Sequence, residues 1–146
     1  MSGEVIVAYG TTKVLEASGV QIANNSIGRA DDSAYDIAAD GANFPEGLFV
    51  LTGTFGGIPA ENTVLALCAR PLQLDGTNDA EVPEATRPTR LLGYFTVNNV
   101  STLQVMDLVA VDLPRKADYY VHNAGTGQAL AAGWQLRVTP RTFKVA

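Results

Sequence analysis

The sequence predicts an antiparallel all-β sandwich or barrel, and three observations carry that expectation. Stretches of strand character recur at intervals of roughly 10 to 14 residues, with turn chemistry between them. One stretch, 129–139, alternates cleanly: Leu130, Ala132, Trp134, Leu136 and Val138 fall on one face, and Ala131, Gly133, Gln135, Arg137 and Thr139 on the other. No segment carries the apolar period of a useful amphipathic helix. Fourteen glycines and seven prolines, scattered in short clusters, supply the turns.

Taken in order, the N-terminal region offers strands at Glu4–Tyr9 and Val20–Asn24. A short helix or loop is expected at ADDSAYDIAAD, residues 30–40. LFVLTGTF (48–55) is apolar or threonine at nearly every position and reads as a strand buried on both sides. TVLALCA (63–69) is a further strand, and LDGTNDAEVPEATRPTR (74–90), with three turn-forming clusters, is a long loop at one end of the sandwich. Strands at 90–97 and 102–111 are separated by the turn signal NNVS. In the second of these, Leu103, Val105, Val109 and Val111 share a face with Asp107, which predicts a bulge near Met106–Asp107 or an exposed edge. Asp118–Asn123 is rich in Tyr and Val. NAGTGQ then turns the chain into the 129–139 strand, which Pro140 is expected to stop because proline cannot donate to a ladder.

With 146 residues the chain reads as one domain: residues 1–43 as an N-terminal arm or edge strands, 44–146 as the sandwich core. Its 47% hydrophobic and 17% charged composition argues against disorder. Cys68 is the single cysteine, so no intramolecular disulfide forms, and VLALCAR predicts a buried thiol. The start MSGEVIVAYG lacks the basic and long apolar regions of a signal peptide. No run reaches the ~20 apolar residues of a membrane span. The net charge of −5 is uneven, with eight acids against Lys13 and Arg29 up to Asn62. Without clustered bases, nucleic acid is not an expected partner, and neither is a membrane.

Each chemistry-bearing residue meets a plainer reading. His122 stands without further histidines or cysteines at ligand spacing, and no serine lies in a GxSxG context, so a surface or hydrogen-bonded role is expected. Gly125-Thr126-Gly127 is followed by a strand, not the helix that an anion-binding loop needs, so its glycines serve a hairpin turn. Trp134 lies on the core face and reads as a buried anchor. Two acidic groups remain, Asp31, Asp32, Asp36 and Asp40 in one, and Asp75, Asn78, Asp79 and Glu81 in the other. The second could hold calcium chemically, yet DG and ND are also ordinary turn formers and the spacing is not that of an EF-hand. No catalytic residue, cofactor or metal site is expected, and no enzyme.

The combination of ARPLQLDGTNDAEVP, LGYFTV and DLPRKADYYVHNAGTGQALAAGWQLRVTP resembles small virion proteins of tailed bacteriophages. It is most similar to their jelly-roll cement, or decoration, proteins. The similarity covers roughly 44–140 and, more loosely, ASGVQIANNS before it. It implies a jelly-roll-like β-sandwich that binds the outer capsid surface and joins neighbouring major capsid subunits, without catalysis or cofactor. The implied partners are the major capsid protein and further copies of the chain, as dimer or trimer. The implied location is the capsid exterior, after synthesis in the bacterial cytoplasm. Val5, Ile6, Val7 and Tyr9 of the extended N-terminus are the candidate partner contacts, reaching a neighbour by strand addition or completing their own sheet. The alternative is a glycan- or receptor-binding sandwich of a phage tail or baseplate, for which Tyr35, Tyr94 and Tyr120 are the candidate exposed aromatics.

Overall fold

The computed structural model describes residues 3–88 and 90–146. They form nine strands: β1 (Val5–Tyr9), β2 (Lys13–Glu16), β3 (Ile27–Asp36), β4 (Glu46–Gly53), β5 (Val64–Pro71), β6 (Leu91–Thr96), β7 (Gln104–Ala110), β8 (Lys116–Asn123) and β9 (Gln135–Val145). One sheet runs β1-β9-β4-β7, with β2 also on β9, and the other runs β3-β8-β5-β6. All pairings are antiparallel. From β2 onward the chain passes back and forth between the sheets, pairing consecutive strands only at β5–β6. This is the strand order of a jelly roll. β1 and β2 lie end to end along one side of β9, and β3 forms an edge of the other sheet.

The core lies between the inner faces. Phe49, Leu51, Met106, Leu136 and Val138 meet Leu65, Leu67, Phe95, Tyr119 and Val121. The Tyr119 ring packs 5.0 Å from that of Phe49 and edge-on to Tyr35. β4 shows how the pattern arises: Gly47, Phe49, Leu51 and Gly53 are buried, while Glu46, Leu48, Val50 and Thr52 are half-covered on the outside. Its outer face is therefore less enclosed than its apolar sequence suggests. Trp134 is buried as expected, and its indole N–H donates to the Val20 carbonyl at 2.7 Å. Gly19 lies flat against that ring, and any side chain there would run into the indole.

Several expectations are corrected. Residues 30–36 are not helix or loop but the second half of β3, which absorbs a register irregularity between Ala30 and Tyr35 against β8. Val20–Asn24 contributes only an isolated bridge from Ile22 to Leu130. Asp107 does not mark a bulge, since β7 pairs with β4 in unbroken register; β7 is an exposed edge, the other half of that expectation. NAGTGQ does not make a hairpin, because β8 and β9 belong to different sheets. Gly125 and Gly127 do take positive φ, at 100° and 82°, but in a crossing between sheets.

Pro140 does not end β9. Its carbonyl accepts from the Gly10 N–H, so its own N-side faces the gap between β1 and β2. The missing donor falls where the flanking strand is already interrupted, and the ladder resumes beyond it.

Candidate functional site

The resumed part of β9 is the most distinctive surface of the molecule. Val5, Ile6, Val7, Ala8 and Tyr9 pair in order with Val145, Lys144, Phe143, Thr142 and Arg141. β4 accompanies β9 only from Gln135 to Arg141, so residues 142–145 have β1 as their sole neighbouring strand among the described residues. The result is a two-stranded ribbon that runs past the sandwich. Alternation places Val5, Val7, Tyr9, Phe143 and Val145 on one of its faces and Ile6 on the other. Val5 is 66% exposed, Tyr9 57%, Phe143 54% and Val145 65%. A ribbon of two strands is marginal in water on its own, and this one keeps apolar side chains in solvent on both faces. The Arg141 guanidinium lies 5.1 Å over the Phe143 ring and 3.7 Å from the Glu46 carboxylate, which fastens the ribbon's root to β4.

All four residues singled out from sequence, Val5, Ile6, Val7 and Tyr9, lie in this ribbon. Phe143 and Val145 were missed, although TFKV alternates as a strand should; the stop assigned to Pro140 hid them. A second exposed apolar row runs along β7 and its flanks, with Leu103, Val105, Val109 and Val111 outward beside Asp107. The core side of β7 is instead Gln104, Met106, Leu108 and Ala110. The Gln104 amide serves the chain turn by accepting from the Asn98 N–H and donating to the Asn98 and Val100 carbonyls.

The other candidates resolve into structural roles. Asp36 accepts from the N–H groups of Ala38 and Ala39 and pairs with Arg115, which holds its carboxyl below the usual range. Burial pushes Asp40 upward, but Lys13 at 2.7 Å and the Asp36 N–H outweigh it and lower its pKa. Asp75 caps its own turn through the N–H groups of Thr77 and Asn78, Asp79 accepts from the Gln73 N–H, and Glu81 pairs with Arg87. Asp75 and Asp79 thus hold the loop's backbone, and Glu81 ties two of its side chains together.

Asp31 and Asp32 join a residue not grouped with them in the sequence. With Glu16 of β2 they place carboxylate oxygens within 4.8 Å of one another, on the seam where β2 meets β3. Glu16 is buried, and desolvation together with the neighbouring Asp31 pushes its pKa up to about 7.

Tyr35 and Tyr120 are corrected from exposed to buried. Tyr35 is part of the core, with burial pushing its hydroxyl up to about 12, and Tyr120 is enclosed beside Arg29, Arg70 and Asp118. Tyr94 alone of the three is open to solvent, at 53%. Cys68 is buried as expected, and burial pushes its thiol up to about 11. His122 is half-buried on β8 between Ile27 and Ala66. A shallow cleft of about 250 Å³ is lined by Glu61, Asn62, Thr96, Val97, Asn98 and Asn99, with no aromatic wall. Among the described residues no helix is long and apolar enough to cross a membrane.

No protein-family model, curated protein or solved structure matches the chain.

Proposed function

We propose that this is a non-enzymatic structural protein of a tailed-phage virion, one that binds the outer capsid surface and cements neighbouring major capsid subunits. The observation that carries the reading is the β1–β9 ribbon, an ordered apolar element with no role in its own core. An apolar strand pair held out in solvent is a cost to an isolated protein and an asset to one that completes its packing on another surface. Burying such side chains is worth roughly 25 cal/mol per Å², and many copies acting together on one shell multiply a modest contact. The jelly-roll strand order and the phage-like motifs of residues 44–140 support the same reading.

The test is co-sedimentation of the purified chain with cognate expanded heads that lack their decoration protein. Saturable binding at a fixed ratio to the major capsid protein, with added resistance of the heads to heat, is expected. Absence of binding at physiological salt would overturn the proposal.

A further inference from the structure

We propose that the outer edge of β1 is a self-association site, where β1 of a second copy adds antiparallel about a two-fold axis through Val7. In an antiparallel pair, alternate residues turn their N–H and C=O groups toward the partner strand and the rest turn them away. Here the Ala146 N–H donates to the Glu4 carbonyl and the Gly10 N–H donates to the Pro140 carbonyl. With the register of Val5 opposite Val145 and Tyr9 opposite Arg141, the even-numbered residues of β1 therefore face β9. Val5, Val7 and Tyr9 turn their backbone groups to the other side, where no described strand lies.

That edge is self-complementary. Centred on Val7, an antiparallel second copy places Val5 opposite its Tyr9, Val7 opposite Val7 and Tyr9 opposite its Val5. Each pair is of the doubly hydrogen-bonded kind, so every outward N–H and C=O of β1 finds a partner. A slip of one residue would instead oppose groups that point away from each other. Val5–Tyr9 carries no charge, and Glu4 falls opposite Gly10 of the second copy instead of another acid. The side chains that meet on the shared face are valines and tyrosines, already apolar and exposed.

Area sets the strength. A five-residue strand is ~17 Å long, so edge pairing covers on the order of a few hundred Å² per copy, against roughly 800 Å² per partner in standard interfaces. The dimer is accordingly reversible in dilute solution and favoured where copies are concentrated on a surface. The inference rests on the ribbon being a contact element and assigns its edge to a second copy, leaving its apolar faces for the shell.

The experiment is sedimentation velocity of the purified full chain from about 1 µM to about 1 mM, alongside V7P and V7C variants. Proline at position 7 removes an N–H that points away from β9, so it spares the ribbon and blocks only the outer edge. Cysteines at position 7 of two copies would sit ~5.5 Å apart between Cα atoms, within disulfide range, while Cys68 stays buried. Expected are a concentration-dependent dimer of the wild type, at least tenfold weaker association of V7P, and oxidative cross-linking of V7C but not of Val109→Cys on β7. A wild type that stays monomeric, V7P association of wild-type strength, or no V7C cross-link would each overturn the inference. The cross-link decides the matter even if V7P does not fold. Head binding by the wild type is read separately, so failure of the dimer and failure of the cement role are distinguishable.

Discussion

The two halves of β9 are one continuous strand in two different circumstances. From Gln135 to Arg141 it is flanked by β4 on one side and mainly by β2 on the other, and Leu136 and Val138 point into the core while Arg137 and Thr139 point out. From Thr142 to Val145 it has, among the described residues, one neighbouring strand, β1, and Phe143, Lys144 and Val145 are exposed. The first half obeys the rule that burial dictates polarity. The second half breaks it, because Phe143 and Val145 are apolar and exposed, and so are Val5 and Val7 opposite them. What the difference teaches is that burial in the core accounts for the alternation of β9 up to about Arg141 and not for the apolar side chains beyond it, which the proposed shell contact would cover.

Mutations sharpen that contrast. In the enclosed region, Trp134→Ala removes the largest fully buried side chain and its hydrogen bond to Val20. It should destabilise the fold by about 3–5 kcal/mol, measured by urea denaturation. Asp118→Asn is expected to cost less, about 1–2 kcal/mol. The acid is buried between Arg29 at 3.2 Å and Arg70 at 4.0 Å, but Arg29 is half exposed and can be solvated once the acid is gone. In the ribbon, Phe143→Ser should alter stability by no more than about 0.5 kcal/mol, because the ring covers nothing in the core. A loss as large as that of Trp134→Ala would erase the distinction between the halves.

The seam between the sheets adds a pH test. Glu16 is held above its ordinary 4.5, at about 7, so the protonated form is the one the fold prefers. Its stabilising contribution is complete below about 4.5 and is lost as pH rises through about 7. Asp36, Asp40 and Asp75 are lowered, and their contributions are lost in the opposite direction, as pH falls below the ordinary carboxylate range. The denaturation midpoint should therefore decline from about pH 5 to about pH 8, and Glu16→Gln should flatten that decline. An unchanged slope in the variant would remove Glu16 from the account.

Much of this architecture was legible in the sequence. Alternation in 129–139 placed Leu130, Trp134, Leu136 and Val138 in the core, and VLALCAR placed Cys68 there. The strand begins only at Gln135, however, and Ala132, expected on the core face, lies exposed in the turn before it. Crossings between sheets were not legible, because a turn cluster such as NAGTGQ reads the same whether it returns to the same sheet or passes to the facing one. The row of Val105 and Val109 was half legible: Asp107 within it signalled a bulge or an exposed edge, and only the partner strands decide between them. Tyr35 and Tyr120 look exposed beside their acidic and basic neighbours, yet the packing of β3 and β8 encloses both. In the ribbon, Val5–Tyr9 could be found as an apolar strand. Its partner, residues 141–145, was hidden because nothing local reveals that the side of Pro140 lacking an N–H faces a gap.

The central claim is that the ribbon's apolar faces exist for the capsid. Its most direct test is the binding isotherm of Phe143→Ser on expanded heads, measured beside wild type and beside Val105→Ser on β7. The account predicts at least a tenfold loss of affinity for Phe143→Ser with an unchanged melting temperature, and a smaller effect for Val105→Ser. Wild-type binding by Phe143→Ser would contradict it.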